Sequence, residues 1–207
     1  LWCWLRGEDR GDLIHQAREL NQIIAPAFEV IEVTDAFKHG GGRDLTGYVD
    51  GTENPEGEDA LEAAFSQEES IEDSSFVTVQ LWQHDFKVFD RMSQGEKDES
   101  IGRRLSDNEE FDAPESAHVK RTAQEDFDPE TFMLRRSMPW SDSENEGLNF
   151  VCFGKTFDAF EAQMHRMSGN EDGIRDAIFK FTKPVRGNYF WCPPMNESGL
   201  DFSKIMN

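Results

Sequence analysis

Phe76–Val77–Thr78–Val79–Gln80–Leu81–Trp82–Gln83 decides the fold. The run alternates and is rich in β-branched and aromatic residues, the pattern of a strand with one buried face. Downstream, Val88–Arg104 is polar with sparse apolar positions and reads as a solvated helix, followed by a loop over Asp107–Ser116. Glu130–Arg136 and Leu148–Phe153 read as strands. Phe157, Phe160, Met164 and Met167 fall at helical spacing, so Phe157–Met167 is a helix. Tyr189–Trp191 reads as a short final strand, and the tail from Pro193 as irregular. The order strand, helix, strand, strand, helix, strand is the ferredoxin-like βαββαβ pattern of the α+β class. A helix-loop excursion separates the first helix from the second strand.

Upstream, Asp9–Leu20 places Leu13, Ile14, Ala17 and Leu20 on one helix face. Leu1–Leu5 is strand-like and Phe28–Val33 reads as a strand. Residues 1–40 therefore resemble the last part of a first domain of similar kind. Pro55–Asp73 is acidic and weakly patterned, a long loop with a helical turn near Leu61–Phe65.

The chain has 207 residues, 42 acidic against 21 basic, and a net charge of −21. Such a surface repels phosphate backbones and argues against nucleic-acid binding. It favours cationic over anionic small molecules. No apolar run reaches the roughly 18 residues needed to span a bilayer. Cys3, Cys152 and Cys192 form neither a CxxC metal site nor a C-x-x-C-H attachment motif, and read as buried, reduced, structural thiols suited to the cytoplasm.

The chemistry concentrates in Gly47–Tyr48–Val49–Asp50–Gly51–Thr52–Glu53–Asn54–Pro55. An acid stands between two glycines, and Asn-Pro closes the turn. Asp50 is thereby held on a tight loop. Thr52 and Asn54 read as braces of that loop through side-chain bonds to backbone. The plain alternative is an acidic surface turn.

The string Arg43–Pro55 resembles the GxxDG signature of the dye-decolourising peroxidases, closest to the bacterial B-type branch. Further segments match that family in order. They are Phe76–Asp85, Ile101–Arg103, Ser116–Arg121, Leu134–Trp140, Gly147–Phe153 and Gly187–Pro194. The resemblance implies two ferredoxin-like domains of the dimeric α+β barrel type, with haem wedged between them. It implies a first domain incomplete in this chain, which begins at Leu1 without Met. On that basis residues 1–55 are the C-terminal part of the first domain with the signature loop. Residues 56–75 are an acidic connection, and residues 76–207 the second domain carrying the proximal ligand. A leader ahead of Leu1 stays open, as does export.

The resemblance also assigns roles. His118, in Ser116–Arg121, is the axial iron ligand of a non-covalent haem b. His15, His39, His84 and His165 match no ligand position; His84 reads as satisfying local hydrogen bonds. Asp50 and Arg135 face the iron on the peroxide side, Asp50 moving the proton and Arg135 stabilising developing charge. Arg136, on the other face of the same strand, is the fallback for Arg135. Arg121 neutralises a haem propionate or is simply solvated. Met138, Phe150 and Phe153 are apolar haem walls or core. Tyr48, Trp140 and Trp191 are relay candidates by type, with core packing the commoner role of such residues. The acid that holds the other nitrogen of His118 is left open among many carboxylates. The implied function is a haem peroxidase that reduces hydrogen peroxide and oxidises dyes or other small organic reductants through a ferryl haem. The alternatives are a haem-handling protein, including iron release, and a scaffold without haem. A homo-oligomer is expected from the resemblance, with no nucleic acid or membrane partner.

Overall fold

The computed structural model describes residues 1–203, and the chain forms two compact units, residues 1–35 and residues 36–207. The first unit contains helix α1, Arg10–Ile24. Its start is set by Asp9, whose carboxylate accepts the backbone N–H of Asp12 at 2.9 Å. Arg10 pairs with Asp35. Leu1–Leu5 and the expected strand over Phe28–Val33 form no strand. Ile31 is 97% exposed. The apolar pattern is there, but an extended segment becomes a strand only when a neighbour supplies the ladder, and no partner strand lies among the described residues of this unit.

The second unit holds helix α2 (Gly57–Ala64), strand β1 (Ser75–His84), helices α3 (Phe86–Phe89), α4 (Gln94–Ile101) and α5 (His118–Arg121), strands β2 (Leu134–Arg135), β3 (Met138–Ser141) and β4 (Glu146–Gly154), helix α6 (Asp158–Met167) and strand β5 (Thr182–Cys192). A small hairpin of β6 (Met195–Asn196) and β7 (Gly199–Leu200) occupies the expected irregular tail. The main sheet runs β2–β4–β1–β5, with β3 also paired to β4, and the pairings are antiparallel. Strands β2 and β3 lie beyond β4, and β5 lies beyond β1. Each helical crossover therefore skips one strand, which is the split βαβ arrangement. The expected ferredoxin-like order is present.

Several boundaries differ from the sequence reading, each for a local reason. The helix expected over Val88–Arg104 is two helices, because Ser93 starts a new one with a capping box to Glu96. The strand expected over Glu130–Arg136 shrinks to β2. The amides of Thr131 and Met133 are taken by the backbone and side-chain oxygens of Gln124 instead of a ladder. The final strand is much longer than Tyr189–Trp191, because β1 pairs with it from Ser75 to His84, with one register shift between Leu81 and Trp82. The acidic stretch after Pro55 contains α2, a full helix that buries Ala63 and Ala64. Contacts group residues 36–55, including the signature loop, with the second unit.

Both faces of the sheet bury side chains: Val77, Leu81 and Val151 lie on one, and the two main core clusters lie on the other. Tyr48, Trp82, Phe89, Met167, Ile178 and Phe181 form one cluster, and Met133, Cys152 and Phe160 a second. Of the three thiols expected to be buried, only Cys152 is; Cys192 is half-buried and Cys3 exposed. Burial pushes the Cys152 thiol up to about 12, so it is an inert packing group.

Candidate functional site

Strand alternation builds the floor of the site. On β1, Gln80, Trp82 and His84 point to the same face. Their cross-strand partners on β4 and β5 are Phe150, Leu148 and Thr182. Arg135 on β2 pairs with Cys152, and Leu134 with Phe153. Arg135 therefore shares the face of Phe150, while Phe153 lies on the other side of the sheet. Gln80, Trp82, His84, Leu148, Phe150, Thr182 and Arg135 line a cavity of ≈ 950 Å³, open mouth included. Met164 and Met167 of α6 and Ile178 complete its apolar wall.

The signature loop forms the opposite side. Arg43 and Val49 pair as an isolated bridge, and Gly47 turns the chain at φ +91°. Asp50 leaves this tight hairpin with its N–H bonded to Gly42 O at 2.9 Å and lines the cavity. Burial pushes the Asp50 carboxyl above its ordinary range. The Arg135 guanidinium pulls it back, Asp44 pushes up again, and the net direction is upward.

His118 opens α5 and also lines the cavity. Its position depends on Gly102, the left-handed cap of α4 at φ +95°. A Cβ on Gly102 would stand 2.2 Å from Val119 Cγ2, so α4 and α5 pack this closely only because that atom is missing. His118 Nδ1 bonds Asp176 Oδ2 at 2.7 Å, and the Asp176 side chain is fully buried. Asp176 Oδ1 accepts the N–H of Ile178 at 2.9 Å, capping the short 3₁₀ turn Ala177–Lys180. A carboxylate at Nδ1 holds the hydrogen there and leaves the Nε2 lone pair free for a metal.

The structure thus brings Asp50, His118 and Arg135 around one cavity, 85 residues of sequence separating the first from the last. It does not bring Arg121 or Phe153 to that cavity. Arg121 is buried in a fork with the two oxygens of Asp172 at 2.7 and 2.9 Å and with Arg166 O. Arg136 is exposed and donates to Arg135 O. Tyr48 lines the cavity, its hydroxyl donating to Asp98 at 2.5 Å, whereas Trp140 and Trp191 do not line it.

Two features were not legible in the sequence. Asp176 carries no motif of its own and is defined only by its partner. His84 satisfies no local groups. Its Nδ1 meets Thr182 Oγ1 at 2.8 Å and its Nε2 meets Asp44 Oδ1 at 3.0 Å, both far along the chain. Burial would raise the Asp44 carboxyl, but bonds from His84 and Thr46 outweigh it and hold the group below its usual range. Asn54 and Gln124 also act across long separations, tying the signature loop to β2.

Residues 41–197 match the family model described as Dyp-type peroxidase, C-terminal. The chain is 29% identical over 201 residues to a dye-decolorizing peroxidase of Mycolicibacterium paratuberculosis, covering 93% of the chain and 57% of the relative. It is 33% identical over 179 residues to one of Rhodococcus erythropolis, covering 82% of the chain and 52% of the relative. Among solved structures, a dye-decolorizing protein from V. cholerae superposes with a TM-score of 0.81 at 30% identity, over 88% of this chain and 62% of that one. A variant of DypB from Rhodococcus jostii RHA1, in complex with haem, gives 0.83 at 28% identity, over 89% and 63%. The chain spans little more than half the length of these curated relatives. Among the described residues no helix is long and apolar enough to cross a membrane.

Proposed function

Since the chain belongs to the Dyp-type peroxidase family, we propose that it is the site-bearing part of a haem peroxidase that reduces hydrogen peroxide and oxidises small organic reductants. The observation that carries this reading is the cavity joining a carboxylate-backed imidazole to a carboxylate and a guanidinium. The residues fit a haem. His118 offers one open ring nitrogen, which suits a metal that arrives with its own equatorial donors. Leu148, Phe150, Met164 and Ile178 offer an apolar wall. Arg135 Nε is buried without a partner among the described residues, a donor free for a bound anion.

When bound, the haem supplies the redox chemistry: it delivers electrons to peroxide and recovers them from the reductant. The side chains manage protons and charge. His118 would hold the iron through Nε2, with Asp176 keeping the other ring hydrogen in place. Asp50, made a stronger base than a free carboxylate by burial, accepts a proton from peroxide and returns it to the departing oxygen. Arg135 donates hydrogen bonds to the oxygen on which negative charge builds, with no reorganisation needed at that moment. With a chain charge of −21, neutral or cationic reductants are favoured.

The test is an absorption spectrum of the haem-reconstituted protein and its response to peroxide, with dye turnover alongside. His118→Ala should lose the Soret band of the bound state. Arg135→Ala should slow the peroxide response by roughly 10²–10³-fold, the range for removing one preorganised donor. A haem spectrum that does not respond to peroxide would instead favour haem handling. Unchanged rates in both Asp50→Asn and Arg135→Ala would remove the mechanism.

A further inference from the structure

The two groups proposed to meet peroxide stand on different segments, so something must set their separation. Asp50 is on a loop, and Arg135 is on a strand only two residues long. Arg135 has its neighbour in the ladder, β4, on one side. Its own amide and carbonyl face the other side, and one side chain bonds both, the carbonyl also accepting from Arg136 Nη1 at 2.9 Å. Asn54 Oδ1 accepts the N–H of Arg135 at 2.8 Å, and Asn54 Nδ2 donates to Arg135 O at 3.1 Å. A single amide thus completes the edge of β2 as a neighbouring strand would. Gln124, only 2% exposed, adds a second tie. It donates to Glu53 O at 2.9 Å and accepts the N–H of Met133 at 3.1 Å.

The signature loop is shaped for this contact. Gly51 lies at φ +78°, and a Cβ there would sit 2.7 Å from Asn54 Nδ2. Asn54 N–H also closes the turn onto Gly51 O at 3.1 Å. The glycine after the acid therefore does more than permit a turn: it leaves the space that the Asn54 amide occupies.

We propose that Asn54 is a positioning residue which registers the Arg135 guanidinium against Asp50, with Gln124 as its second tie and Gly51 as the condition for its placement. The idea rests on the peroxidase reading for its consequence but not for its geometry. Misplacing a charge-stabilising group by about 1 Å can cost on the order of 10²-fold in rate. Asn54→Ala should therefore slow the peroxide-driven absorbance change of the haem-loaded chain by roughly 10–100-fold. Because Asn54 acts through Arg135, the same substitution made in an Arg135→Ala chain should change the rate by less than about twofold, the non-additivity expected of coupled residues. Asn54→Asp keeps the acceptor for the Arg135 N–H but sets an oxygen against Arg135 O, where Asn54 Nδ2 donates at 3.1 Å, so it should slow the rate as well. Gly51→Ala should move the rate in the same direction while leaving the asparagine present.

A purely structural brace would give equal losses in both backgrounds, and that result overturns the proposal. The second readout needs no cofactor. Hydrogen exchange at the Arg135 amide of the haem-free chain should speed up at least tenfold in Asn54→Ala. Unchanged protection also overturns the proposal, whether or not haem loads. A wild-type chain with no peroxide response would fail the functional reading alone.

Discussion

Replacing Asp176 separates its two duties. One carboxylate oxygen holds His118 Nδ1 at 2.7 Å, and the other caps the 3₁₀ turn through Ile178 N–H at 2.9 Å. Asp176→Ala loses both. A hydrogen bond to a charged group contributes about 1.5–3 kcal/mol, and an N-cap about 1 kcal/mol. The sum is about 2.5–4 kcal/mol, which for a chain of this size is a melting-temperature drop of roughly 5–16 °C. Asp176→Asn keeps an oxygen for the cap and should lose less. Its amide NH₂ would then face Nδ1, driving the imidazole to the tautomer that carries its hydrogen on Nε2. The lone pair needed for a metal is thereby occupied, so haem affinity should fall about 10–100-fold in both variants. Denaturant unfolding of the haem-free chain reads the first effect, and haem titration followed at the Soret band reads the second. If Asp176→Asn binds haem as the wild type does, the carboxylate does not set the tautomer, and the account of His118 is wrong.

Two other outcomes follow from the same geometry. The folded Asp50 pKa lies above its ordinary value of 3.8, so its stability contribution is present below that value and is lost as pH rises through the folded one. Asp50→Asn should thus gain stability over wild type between about pH 3 and about pH 7, measured by unfolding at both ends; a constant difference would contradict the buried, raised carboxyl. Gly102→Ala places a methyl 2.2 Å from Val119 Cγ2 at φ +95°. It should cost at least roughly 1–3 kcal/mol from backbone strain alone, and an unaltered unfolding midpoint would refute the close α4–α5 packing.

What the sequence determined by itself is what depends on neighbours along the chain. The alternation of Phe76–Gln83 specifies β1 and its buried face, because side chains of a strand alternate whatever it pairs with. The acid between glycines specifies the signature turn, since only glycine enters the left-handed region cheaply. The helical spacing of Phe160, Met164 and Met167 specifies the inner face of α6. Tertiary structure decided whatever depends on a distant partner. Phe28–Val33 has the composition of a strand and remains without a ladder. Arg121 has the charge for an anionic ligand, yet Asp172 takes it. His84 reads as a local residue and pairs with Asp44 and Thr182 instead. Asp176 is one acid among 42 acidic residues until folding places it on His118. Backbone periodicity is written in residue order; a hydrogen bond between groups dozens of residues apart exists only after the chain has closed the loop between them.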